Sequence, residues 1–151
     1  MSFALRGGWW VAAQGPLMLA AVALPPWLGQ LAPPAQFVAG GAMVAFAFLL
    51  VGWSRKTLGA SFTPFPKPVE TGSLVIVGPF GLVRHPIYTA IIVAAAGWAL
   101  QWQSIAGAAC AALLAVFFDL KSRREEIWLA EKYGGYAAYR SRVKRFIPFI
   151  Y

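Results

Sequence analysis

Four apolar runs leave this chain few choices of fold. They span Trp9 to about Leu28, Phe37 to Trp53, Ile87 to about Trp102, and Ser104 to Leu120. Each is near the length that crosses a bilayer as a helix, and lipid admits only helices or closed barrels because every backbone polar group must be paired internally. Composition agrees. Of 151 residues, 60% are hydrophobic and 12% charged, against about 25% charged in soluble domains. The expectation is an all-α polytopic membrane protein, a single unit over residues 1–151, with about four transmembrane helices and a cytosolic amphipathic C-terminal tail.

The loops orient those spans. Linkers 29–36 and 101–104 contain no Lys or Arg, whereas the N-terminus, the 54–85 connection and the C-terminal tail hold all 13. Both termini and the central connection are therefore expected in the cytosol, beside a prokaryotic cytoplasmic membrane. Net charge is +8. Its confinement to loops and ends beside apolar runs fits membrane orientation and anionic lipid better than nucleic acid. The first run resembles a signal peptide in its short, slightly basic start, but it is long for one. Trp9, Trp10 and Trp27 read as interfacial anchors of a retained span, which Pro25-Pro26 should end or kink. The single Cys110 is expected to be a buried thiol. With one His and one Cys in the chain, a metal site of the usual ligands is not expected.

Two stretches carry chemistry. Gly78-Pro79-Phe80-Gly81-Leu82-Val83-Arg84-His85-Pro86-Ile87-Tyr88 leads into the third run. A helix opening at Pro86 puts Arg84 and His85 at its N-terminus and Tyr88 one turn in, where free N–H groups favour an anion. The plain alternative is an arginine anchoring a helix at the interface. Before this stretch, Pro64, Pro66 and Pro68 forbid a continuous helix, and Leu74–Val77 reads as a short extended segment or a loop. The second stretch continues the fourth run as Asp119, Lys121, Arg123, Arg124, Glu125, Glu126 and Glu131, with Gly134-Gly135 as a stop. Beyond it, Tyr136, Tyr139, Val143 and Phe146 alternate with basic residues. That pattern fits an amphipathic helix lying on anionic lipid. The acids Glu125-Glu126 fit lipid poorly, and pair with Arg123 or Arg124 or bind a cation. The third and fourth runs must form an antiparallel hairpin. Ala90, Ala94 and Gly97 on one side, and Gly107, Ala108, Ala111 and Ala112 on the other, are expected to pack it; Gly40-Gly41 allows another close approach.

Taken together, Gly78-Pro79-Phe80…Arg84-His85-Pro86-Ile87-Tyr88, a helix hairpin, and Glu125-Glu126-Ile127-Trp128-Leu129…Tyr133-Gly134…Tyr136…Tyr139…Val143…Ile147-Pro148 resemble the isoprenylcysteine carboxyl methyltransferase family and its phospholipid methyltransferase relatives. The resemblance covers about residues 57–150, leaving 1–56 as an N-terminal helix pair. It implies an integral membrane enzyme that uses S-adenosylmethionine and acts on a membrane lipid or a prenylated small molecule. The implied cofactor pocket is lined by Gly72, Ser73, Leu74, Val75, Phe80, Arg84, His85, Pro86, Ile87, Tyr88 and Glu125. The cofactor's carboxylate suits the helix start near Arg84 or His85, and its ammonium suits Glu125 or Glu126. Lys121 or Arg124 stands near the position of an arginine that holds a substrate carboxylate in relatives. Glu126, like His85, would take a proton from an amine or phenol acceptor. Phe80 departs from the family, where a tyrosine is common. Two other readings are a reductase of the sterol type using NADPH, and a non-enzymatic binder of anionic lipid.

Overall fold

The structure, a computed structural model, describes residues 3–151. Five α-helices follow one another: α1 Gly8–Leu28, α2 Pro34–Leu58, α3 Pro86–Gln101, α4 Ile105–Lys132 and α5 Tyr136–Arg142. No strand occurs among the described residues. Three segments, Gly8–Leu28, Pro34–Ser61 and Ile105–Lys132, are long and apolar enough to cross a membrane. The shorter α3 is also apolar. Its 16 residues reach only about 24 Å at 1.5 Å per residue.

Helix boundaries follow local chemistry. Pro34 and Pro86 sit at first helical positions, where a missing N–H costs nothing. Ser104 caps α4 by accepting from the Gly107 N–H at 3.1 Å. The prolines of α1 shift its end less than the sequence suggests. Pro25 and Pro26 lie inside the last turn, and the helix stops only at Gly29. Likewise α2 does not end at Trp53. It continues through Arg55 and Lys56 to Leu58, because nothing in Ser54–Leu58 breaks a helix. Leu74–Val77 is loop.

The four long helices alternate in direction. Trp98 Nε1 on α3 donates to the Val22 carbonyl on α1 at 2.9 Å, and Pro25 of α1 touches the start of α4 at Gly107. The two uncharged linkers meet at one end, where Gln30 and Ala32 N–H groups donate to the Trp102 and Gln101 carbonyls at 2.8 and 2.9 Å. Small residues do pack the bundle, with one change of partner. A Cβ on Gly97 would lie 2.7 Å from the Gly40 carbonyl and from Met43 Cβ. Gly97 thus faces α2, not α4, and the close α2–α3 crossing depends on both glycines lacking a side chain. Gly107 faces Ala99 as the hairpin requires, whereas Ala108 and Ala112 are exposed. Cys110 lies in the α3–α4 core with Leu114 and Phe118.

The tail differs most from expectation. Its helix, α5, has only seven residues and buries Tyr136 and Tyr139 against the protein. Residues 143–151 then fold back. Val83 pairs with Lys144 in a single parallel bridge. The Arg84 and His85 N–H groups donate to the Lys144 and Arg145 carbonyls at 2.8 and 3.1 Å. The tail is therefore docked on the start of α3, in place of a continuous amphipathic helix on lipid.

Candidate active site

A cavity of about 240 Å³ opens where the start of α3, the last turns of α4, the first turns of α1 and the 61–75 loop converge. The loop is tied over it from α4. Lys132 Nζ donates to the Val69 carbonyl and, at 2.9 Å, to that of Glu70. Tyr133 Oη donates to the Gly72 carbonyl at 2.8 Å, and the Ser73 N–H to Ser61 Oγ at 3.1 Å.

The paired acids part company here. Glu126 is 2% exposed and turns away from the cavity. Arg84 lies 2.9 Å from its Oε1, Arg145 Nε 3.1 Å, and His85 Nε2 3.1 Å, while Arg140 approaches Oε2 at 3.5 Å. A carboxylate facing three guanidiniums is ionised and only accepts, so His85 Nε2 carries a hydrogen and Nδ1 is directed toward Glu125, 3.9 Å away. Arg84 also donates to the carbonyls of Val143 and Arg140. The arginines expected on lipid thus include two, Arg140 and Arg145, that close on Glu126. Burial works against the Arg145 charge, but hydrogen bonds to Glu126 and Asp119 outweigh it and hold its pKa above the usual value. Arg123 pairs with Asp119, not with the acids at 125 and 126.

Glu125, in contrast, lines the cavity. Tyr88 Oη donates to its Oε2 at 2.6 Å. The Tyr88 ring stacks between His85, 5.4 Å away, and Phe118, 4.6 Å away. Lys121 Nζ sits 5.2 Å from the Tyr88 centroid and donates to Gln14 Oε1 at 2.7 Å. On the far wall Tyr139 Oη donates to the Phe80 carbonyl at 2.6 Å. Burial pushes the Tyr136 and Tyr139 phenols up from their usual pKa. Tyr136 Oη is buried with no hydrogen-bond partner among the described residues, a costly state for a group bordering a cavity.

Of the residues singled out in the sequence, Ser73, Leu74, Val75, Phe80, Arg84, His85, Pro86, Ile87, Tyr88, Lys121 and Glu125 border this one cavity. Gly72, Arg124 and Glu126 do not. Gly72 holds the loop through its carbonyl, the Arg124 guanidinium lies over the Trp128 ring at 4.6 Å, and Glu126 joins the tail to α3. Sequence reasoning missed Gln14, Phe62 and Pro66 as wall residues, and used Tyr133, Tyr136 and Tyr139 for the resemblance without placing them in the cofactor wall. Gln14 had a signal: it is the sole amide, hydroxyl or charged side chain in α1, and a polar group inside a span marks function by default.

The donor set fits S-adenosylmethionine. Glu125 offers a carboxylate for an ammonium, and the orphaned Tyr136 hydroxyl offers an unused polar contact. Leu74, Phe80 and Ile87 supply an apolar wall. The first-turn N–H groups of Ile87 and Tyr88 have no intrahelical acceptor and suit a carboxylate.

A model of the phospholipid methyltransferase family matches residues 35–135, which takes in α2, α3, α4 and the connecting loop. The cobalt-zinc-cadmium resistance protein CzcN of Cupriavidus metallidurans is 31% identical over 80 residues, 52% of this chain. The chain spans 37% of that relative's length.

Proposed function

This chain belongs to the phospholipid methyltransferase family, and from that membership we propose that it moves a methyl group from S-adenosylmethionine to a lipidic acceptor, a carboxylate as in isoprenylcysteine carboxyl methylation. Family membership supports the membrane methyltransferase activity; the donor and the acceptor are the finer part of the proposal. One observation carries it. One cavity bordered by the α3 N-terminus also contains a carboxylate outside the arginine cluster, Glu125, and a buried ammonium, Lys121. Those three features match the two ends of the donor and the head of an acid acceptor.

When bound, S-adenosylmethionine supplies an electrophilic methyl group on a sulfonium and leaves as the thioether. Glu125, held by Tyr88, orients the ammonium, and the Ile87 and Tyr88 N–H groups orient the carboxylate. Lys121 holds an acceptor oxygen on the α1 side. An acceptor carboxylate is already ionised at neutral pH, so no residue needs to take a proton. The site's contribution is alignment, which can lower a barrier by about 7–11 kcal/mol. Arg84, His85 and Glu126 act one layer out, fixing the tail and the start of α3. The acceptor enters from the bilayer and the donor from the cytosol, with both termini on the cytosolic side. A cysteine introduced at Ser61 should then label only after permeabilisation.

Titration of the purified protein with S-adenosylhomocysteine and, separately, NADPH tests the reading. Saturable binding of the first alone is expected. Binding of NADPH alone would favour a reductase, and binding of neither would remove the enzyme reading.

A further inference from the structure

Lys121 has an unusual environment. Its residue is 1% exposed, it lies in a membrane-spanning helix, and it belongs to none of the ion pairs among the described residues. Its partner is neutral: Gln14 Oε1 on α1, 2.7 Å away. The nearest acid along α4, Glu125, accepts instead from Tyr88. Glu125 shares the cavity but makes no direct contact with the ammonium, and a buried charge without a paired partner is costly, so the site suits an anion brought in by a ligand.

Gln14 is placed to share that anion. Its carbonyl oxygen faces Lys121, while among the described residues its amide nitrogen donates only to Met18 Sδ at 3.2 Å, a weak acceptor. An ammonium has three N–H donors, and one is engaged with Gln14. Both side chains border the cavity. Unshared donors of the ammonium and of the amide therefore stand side by side at its α1–α4 wall. Trp10 and Phe117, in edge contact at 5.5 Å, bridge the same two helices. Gln14 also lies outside the stretch matched by the family model, which begins at residue 35.

We propose that Gln14 and Lys121 form a two-donor subsite for the anionic oxygen of the acceptor's head group, with Gln14 as the residue that sets head-group specificity. The proposal rests on the methyltransferase reading and adds α1, an element outside the family match, to the site. Lys121 supplies the charge. Gln14 supplies a directional second donor and holds the ammonium in place. Two sources present this chemistry: the reacting carboxylate of an acid acceptor, or the phosphate of a phospholipid that reacts elsewhere in its head.

Binding to the detergent-solubilised full chain tests it without turnover. The probes are N-palmitoylglycine, its primary amide, and palmitoyl-lysophosphatidylethanolamine, with S-adenosylhomocysteine as the cofactor-side control. Wild type should prefer the acid to the amide by about tenfold or more, the worth of a charge-assisted hydrogen bond. A stronger preference for the lysophospholipid would assign the subsite to phosphate. Lys121→Met should abolish the preference. Gln14→Glu should abolish it too, because the new carboxylate occupies the anion's place beside Lys121; its ion pair keeps the fold, and cofactor-analogue affinity stays within about twofold. Gln14→Leu should narrow the preference. Unchanged preference in both Lys121→Met and Gln14→Glu, with S-adenosylhomocysteine still bound, overturns the subsite alone. Failure of wild type to bind S-adenosylhomocysteine overturns the methyltransferase reading instead.

Discussion

The two ends of the helix bundle are held by different forces. At the linker end nothing is charged. Backbone bonds join the 29–33 and 101–104 segments, Gln103 Nε2 donates to Gln36 Oε1 at 2.7 Å, and the Gly40–Gly97 crossing depends on shape. At the cavity end a loop and a tail are held by Lys132 and by the Glu126 cluster, around a space that keeps a carboxylate, an ammonium and a phenol free of full pairing. Dispersion and close packing suffice where helices need only touch. Charge is concentrated where irregular backbone must be fixed beside a cavity, a position lipid could not tolerate without protein or water around it.

The largest expected effect is at the cavity end. Glu126→Ala leaves Arg84 and Arg140 without a carboxylate and Arg145 with Asp119 alone. Removing one member of a buried ion cluster costs about 3–5 kcal/mol. The melting temperature in detergent should fall and trypsin should cut readily after Arg140 and Arg142. A tail as protease-resistant as wild type would mean that Tyr136 and Tyr139 hold it without the charges.

A smaller effect separates two glycines at the other end. Gly97→Ala and Gly52→Ala each add about 1 kcal/mol of helix propensity. Gly52 has open space around it, whereas a Cβ at Gly97 meets the Gly40 carbonyl at 2.7 Å. Overpacking costs about 1–3 kcal/mol. The melting temperature should therefore rise for Gly52→Ala and fall for Gly97→Ala. The same sign for both would show that the α2–α3 crossing is not tightly packed.

Tyr139→Phe should cost least, about 1 kcal/mol, by unpairing the Phe80 carbonyl. It carries a pH signature as well. Burial raises the phenol's pKa in the folded protein, so its contribution is complete below the ordinary value of about 10. That contribution is lost as pH rises beyond it toward the raised value. The wild-type melting temperature should drop above pH ~10, and the drop should be shallower in Tyr139→Phe. Identical alkaline profiles would take Tyr139 out of the tail's attachment.

Much of this was legible in the sequence. The apolar runs stated the bundle, and Pro86 stated the start of α3 beside Arg84 and His85. The 101–104 linker, short and uncharged, required a hairpin. Other features depended on distant partners. Whether Arg140 and Arg145 face lipid or Glu126 is decided by the tail's return to Val83 and Arg84, which no local pattern encodes. Gly97 offers a small face to any neighbour, and the sequence alone did not distinguish α2 from α4. Glu125 and Glu126 look alike as a pair, but adjacent helical positions point about 100° apart. One therefore enters the cavity and the other leaves it. Lys121 and Arg124 also part, since Lys121 borders the cavity and the Arg124 guanidinium covers Trp128.

The central claim is that the cavity beneath the 61–75 loop is the cofactor site, with Glu125 as its acid. Calorimetric titration of S-adenosylhomocysteine into wild type, Glu125→Gln and Arg142→Ala tests it most directly. Glu125→Gln keeps size and a hydrogen-bond partner for Tyr88 but removes the charge that would face the ligand's ammonium. It should weaken binding by about tenfold or more with little change in melting temperature. Arg142→Ala, at an exposed residue that bonds to its own helix at Ala138, should bind as wild type does. Equal affinity in all three proteins would contradict the account and place the cofactor elsewhere.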